Sequence, residues 1–163
     1  MSTTSSNAGT APAVSLRTAA AADDAFLRRL YLDARPELRL LPRQLLELQM
    51  AAQQAQYRRD HPGAVDEIVE VQGEPVARCW TAGDGDELQL LDLAVRADRR
   101  RQGIGRAVLD MVADRAAAQG TRVRLMVWSA NAGARRLYRT AGFVEVGELG
   151  GHVVMRLTPR RPE

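Results

Sequence analysis

The sequence predicts an α/β (α+β) domain: a mixed, mostly antiparallel central sheet of about six to seven strands, flanked by about four helices. Three observations carry that expectation. Three strand-like runs, "DEIVEV" (66–71), "EPVARCWTA" (74–82) and "ELQLLDLAV" (87–95), follow one another with only "QG" and "GDGD" between them, which is the spacing of a meander. A helical pattern, a strand and a second helical pattern come next, which adds layers to the sheet. The chain then closes on two strand-like runs, "FVEVGEL" (143–149) and "HVVMRL" (152–157), joined through Gly150 and Gly151.

Taken in order, "AVSLRTA" (13–19) alternates enough to form a first strand. In "DDAFLRRLYLDAR" (23–35), Asp23 or Asp24 stands near the cap, and Phe26, Leu27, Leu30, Tyr31 and Ala34 share one side of a helix that Pro36 ends. Pro42 then opens a second helix, "RQLLELQMAAQQAQYRRD" (43–60), whose leucines point to core or to a homodimer face. After the three-strand meander, Ile104, Val108, Met111, Val112 and Ala116 line one face of a helix that Gly120 terminates. "RVRLMVW" (122–128) is a strand, and "NAGARRLYRTAG" (131–142) is a short helix with Asn131 at its cap and Gly142 past its end.

Composition sets the outer bounds. For 163 residues, 45% hydrophobic and 26% charged, the expectation is one folded domain at 13–158, with a disordered leader at 1–12 and a tail at 159–163. The opening "MSTTSSNAGTAPA" has neither a basic start nor an apolar stretch, so it does not read as a secretory signal. No apolar run reaches the roughly 18 residues needed to cross a bilayer. Cys79 is the single cysteine, which excludes an internal disulfide and suits a reducing, cytoplasmic setting; its apolar neighbours suggest a buried strand thiol. All 23 basic residues are arginine, which lifts the pI to about 9.7 on a formal charge of only +3. A nucleic-acid-binding module would concentrate arginines on one surface among stacking aromatics, whereas here acids interleave with them and aromatics make up 4%. With two histidines at no ligand spacing, no metal site is expected.

The stretch "RRRQGIG" (99–105) sits between a strand and a helix. It reads as a phosphate cradle, a nucleic-acid patch or an ordinary charged helix start. The first turn of a helix carries amides without intrahelical partners, and glycine lets a bulky anion approach them. A Walker loop needs a lysine, which the chain lacks, and Val108 stands where a dinucleotide fingerprint needs its third glycine. What remains is Arg/Gln-x-x-Gly-x-Gly/Ala, filled by Arg100, Gly103 and Gly105.

Here the sequence resembles the GNAT superfamily, the GCN5-related N-acetyltransferases. "LDLAV" resembles their fourth strand, the loop their pyrophosphate-binding loop, and "NAGARRLYRTAGF" their later motif of Asn, then Tyr seven residues on, then Gly-Phe. The resemblance spans Val14 to Leu157 in element order and implies transfer of an acetyl group from acetyl-CoA to an amine. It implies that acetyl-CoA lies against Leu93, Ala94, Val95, Arg100, Arg101, Gln102, Gly103, Ile104, Gly105, Arg106, Asn131 and Tyr138. Many relatives carry glycine where this chain has Arg101; a positive φ there would cost about 1 kcal/mol.

Three chemical tasks follow from that reaction. The amine must lose a proton, the thioester carbonyl needs a donor such as a main-chain amide of "LDLAV", and the leaving thiolate needs an acid. Tyr138 is the family acid by its spacing from Asn131; the alternative is packing beside Leu137 and Ala134. Asn131 caps its helix, contacts the coenzyme, or does both. Some relatives place a glutamate base where this chain has Gln89, so Glu87 and Asp92 are the candidate bases, on opposite faces if the strand is regular. The resemblance gives acceptor recognition to the first two helices and the last hairpin, which offer Tyr31, Arg35, Tyr57, Glu148 and His152. A coenzyme-binding sensor without catalysis is the alternative for the same fold.

Overall fold

The computed structural model describes residues 10–159. Residues 1–9 of the expected leader and 160–163 of the tail lie outside the described residues. One seven-stranded sheet organises the rest, in spatial order β1-β2-β3-β4-β5-β7-β6. The strands are β1 (Ser15–Thr18), β2 (Val65–Val71), β3 (Glu74–Asp84), β4 (Glu87–Val95), β5 (Arg122–Trp128), β6 (Val144–Leu149) and β7 (His152–Leu157). All neighbours pair antiparallel except β4 and β5. Four helices complete it: α1 (Asp24–Asp33), α2 (Arg43–Asp60), α3 (Ile104–Gln119) and α4 (Ala132–Thr140).

The meander forms as its turns require. At the tip between β6 and β7, Gly150 and Gly151 have φ of 57° and 78°, the two left-handed residues of a tight hairpin turn. Because Val123, Leu125, Val127, Val153 and Met155 alternate along β5 and β7, their side chains all reach one face of the sheet, where α3 packs. That helix buries Ile104, Val108, Leu109, Val112 and Ala116, so Leu109 takes the buried place expected for Met111. The opposite face is covered near β2–β4 by α1, through Leu27, Leu30 and Ile68. Asp23 holds the start of α1 to β1: its carboxylate accepts two hydrogen bonds from Arg17, both 2.8 Å, and one from the Ala20 amide at 2.8 Å.

Helix α2 meets the core reading of its leucines only in part. Leu46 is buried, whereas Leu45 and Leu48 are exposed, so the leucine run supplies one core contact. Cys79 lies buried in β3, and burial pushes its thiol up to about 12, an unreactive state. Among the described residues, no helix is long and apolar enough to cross a membrane.

Two irregularities in β4 shape the middle of the molecule. Trp80 pairs with Asp92 and Thr81 with Leu90, so Leu91 is an extra residue that bulges from the ladder. Beyond it the alternation is reset: Leu88, Leu90, Leu93 and Val95 meet the α3 side, while Asp92 and Ala94 face the α1–α2 side. The expectation that Glu87 and Asp92 take opposite faces is thereby corrected; the bulge brings both to one face. The parallel pairing of β4 with β5 covers only Glu87–Leu90 and Arg122–Leu125, although both strands continue. The strands part there, leaving the edge of residues 91–95 without a sheet partner on that side.

Candidate active site

The parting of β4 and β5 has the 99–105 loop on one flank. Gly103 stands at the N-cap of α3 with φ 81°, and no side chain caps the helix. The amides of Ile104, Gly105 and Arg106 therefore face outward without a partner among the described residues, at the positive end of a 16-residue helix. A side chain at Gly103 would be strained by the left-handed backbone, and its Cβ would come 3.3 Å from the Pro12 ring. Gly105 has a different reason for being glycine. Its Cβ would stand 3.1 Å from Leu137 Cδ2, so the missing side chain lets α3 approach α4 closely.

The arginines of the loop divide into two groups. Arg96 pairs with Glu74 (2.7 Å) and Asp98 (2.6 Å), and Arg99 with Glu74 (2.8 Å). Arg106 pairs with Asp110 (3.0 Å) and donates to the Thr140 carbonyl (2.8 Å). Arg100 makes one main-chain contact, to the Val95 carbonyl at 3.1 Å, and Arg101 makes none among the described residues. Those two retain N–H groups for an anion. Arg101 has φ 59°, so the residue that replaces the family's glycine does sit in the left-handed region, at a cost of about 1–2 kcal/mol. Gln102 is exposed and holds the loop to itself, bonding Arg99 and the Asp98 carbonyl.

On α4, Asn131 caps the helix, its Oδ1 accepting from the Ala134 amide at 3.1 Å. Tyr138 lies about two turns later and packs on the core beside Phe143, with ring centroids 5.8 Å apart. Its phenol is pushed up to about 12, first by burial and then by the negative charge of Asp92.

The α1–α2 flank holds a cleft of about 520 Å³ including its open mouth. Tyr31 and Arg35 come from α1 and its end, Tyr57 from α2, Arg78 and Trp80 from β3, and Asp92 and Ala94 from β4. Arg78 grips Asp66 with two hydrogen bonds (2.8 and 2.7 Å) and lies 3.9 Å from Asp92. The Asp92 side chain is 41% exposed, yet surrounding protein mass raises its pKa, a rise that Arg78 and Arg35 oppose.

Other candidates lie elsewhere. Glu87 is at the far end of β4, roughly 16 Å along the strand from Asp92, and faces Arg156 at 2.6 Å and Arg122 at 3.9 Å. The 2.6 Å contact is not aligned as a hydrogen bond. Gln89 bonds Asp84. His152 stacks edge-on with Trp128, and Glu148 is exposed on β6; neither lines the cleft. The cleft-lining Arg78 and Trp80 escaped sequence reasoning, since nothing in a strand's alternation separates a cleft wall from core.

A parallel split beside an uncapped helix start, with a cleft on its other flank, leaves an opening in the sheet that a ligand could enter. The family model described as the acetyltransferase (GNAT) family matches residues 24–143, and the chain belongs to that family and is an acyltransferase of it. No curated protein matches the chain by sequence. Among solved structures, an acetyltransferase from Thermus thermophilus is 22% identical, with a TM-score of 0.70 over 90% of this chain and 97% of that one. The PaiA N-acetyltransferase of Thermoplasma acidophilum, solved in complex with coenzyme A, is 13% identical, with a TM-score of 0.67 over 88% and 98%. The ribosomal-protein-S18-alanine N-acetyltransferase of Escherichia coli is 23% identical, with a TM-score of 0.63 over 93% and 97%.

Proposed function

We propose that the chain transfers an acetyl group from acetyl-CoA to a primary amine of a small molecule or a protein N-terminus, by direct attack, with Tyr138 as general acid. The single observation that carries this reading is the opening between β4 and β5, flanked by bare amides at the start of α3 and by Tyr138 of α4. The residues present fit the coenzyme. Ile104, Gly105 and Arg106 amides, with Arg100 and Arg101, would hold its diphosphate. The unpaired edge at Leu93, Ala94 and Val95 would receive its extended arm. Asn131 contributes by fixing α4, and hence Tyr138. The coenzyme supplies an acyl group already activated as a thioester.

The chain's own residues then have three tasks. The Arg96 amide bonds to Val76 of β3, so by alternation the Leu93 and Val95 amides turn to the open edge, where they donate to the thioester carbonyl. Asp92, a stronger base than an ordinary carboxylate because its pKa is raised, accepts a proton from the attacking ammonium directly or through water. Tyr138 donates to the leaving sulfur and regains a proton from the second one that the nitrogen loses as the amide forms. A C–N bond forms, a C–S bond breaks, one nitrogen proton rests on Asp92, and the other replaces the phenol proton that passed to the thiolate. A phenol near 12 is a poor acid toward an ordinary thiolate of pKa ~8.5. The same burial that raises the phenol also raises the basicity of a sulfur placed beside it, and this brings donor and acceptor closer in strength.

Acetyl-CoA with a panel of amines and detection of released thiol tests the reading. Thiol release that depends on an amine and collapses in Tyr138→Phe supports it, whereas coenzyme binding without turnover on any amine contradicts it.

A further inference from the structure

The cleft on the α1–α2 flank has an unequal charge inventory. Asp92 is the one acid lining it. Of its two arginines, Arg78 is committed to Asp66 by a two-pronged contact. Arg35 has no carboxylate within ion-pair distance among the described residues, and it stays in place by lying over the Tyr31 ring at 4.2 Å. A guanidinium stacked by its face keeps its N–H edge available, and that edge matches the two oxygens of a carboxylate. In the same cleft Tyr57 and Trp80 meet edge to face, with centroids 5.1 Å apart, and form an aromatic wall.

Resting on the transfer reading above, we propose that the acceptor is a compact amine that also bears a carboxylate, its acid group held by Arg35 and its amine turned toward Asp92. A polyamine is disfavoured by the same inventory. Several ammonium groups would need several acids, and here they would meet a free guanidinium.

The test uses acetyl-CoA and matched triplets: α-amino acids, β-alanine and γ-aminobutyrate, each with its carboxamide and its decarboxylated amine. The wild-type protein is expected to show kcat/KM at least about tenfold higher for the best acid than for its amide or amine, a discrimination of about 1.4 kcal/mol. In Arg35→Gln that ratio falls to within about threefold, and Arg35→Lys keeps part of it. Arg59→Gln removes an exposed arginine of α2 outside the cleft and leaves the ratio as in the wild type. Equal or better transfer to amines lacking a carboxylate overturns the inference and leaves the transferase reading standing. So does an unchanged ratio in Arg35→Gln, or an equal loss in Arg59→Gln. Absence of thiol release with every member of the panel overturns the transferase reading itself.

Discussion

The two flanks of the β4–β5 parting are made of different materials. On the α3–α4 flank the proposed binding groups are main-chain amides at an uncapped helix start, with Gly103 supplying the left-handed turn before them and Gly105 letting α3 approach α4. On the α1–α2 flank they are side chains: an unpaired guanidinium, a raised carboxylate and two aromatic rings from four separate elements. Main-chain groups cannot be exchanged by substitution, so that flank is suited to a constant partner. A side-chain cleft can be rebuilt one residue at a time, which suits it to the partner that sets specificity. In the proposed reading Tyr138 serves from the first flank and Asp92 from the second.

The largest expected effect breaks the junction between them. Tyr138→Phe keeps the ring on the core but removes the proton, and turnover should fall about ten- to a thousand-fold while coenzyme affinity stays nearly constant. Unaltered turnover in a chemistry-limited assay would return Tyr138 to a packing role beside Phe143.

Next comes the main-chain flank alone. Gly103→Val must force a branched side chain into φ 81° and against Pro12, costing about 1–2 kcal/mol of stability and weakening coenzyme binding about tenfold or more. Chemical denaturation and calorimetry read the two effects. Wild-type affinity in this variant would mean the cradle lies elsewhere.

Asp92→Asn sharpens the other flank, because activity and stability should move apart. A carboxylate whose pKa is raised on folding supports stability at low pH, and that support is lost as pH rises through its folded value. The neutral amide removes this loss, so the variant should be at least as stable as the wild type at neutral pH. Its kcat/KM should meanwhile drop about tenfold or more and lose the acidic limb of the pH profile. A destabilised variant with full activity would assign Asp92 to holding Arg78.

The smallest effect is Arg101→Gly. Relief of the left-handed backbone should stabilise the fold by about 1 kcal/mol, while loss of a free cation modestly weakens coenzyme binding. Unchanged stability would mean the loop relaxes that torsion without cost.

How far the sequence speaks also differs between the flanks. The 99–105 loop was legible because its groups are contiguous and glycine marks them. Element order was legible too, since turns and periodicities are local. Of the cleft, Tyr31, Arg35, Tyr57 and Asp92 were named from the sequence but their grouping with Arg78 and Trp80 was not, because only packing brings them together and period-two reasoning cannot foresee the bulge at Leu91. Which loop arginines are free was equally hidden: Glu74, more than twenty residues upstream, engages Arg96 and Arg99. Gly105 was read as an aid to phosphate approach, yet the structure gives it a packing contact with Leu137.

Amide hydrogen exchange with and without coenzyme A tests the division of labour most directly. Protection confined to the amides at the start of α3 (104–106) and along β4 (93–95), with the α1 and α2 cleft residues unaffected, is the predicted result. Protection centred on α1 and α2, or none anywhere, would contradict the account.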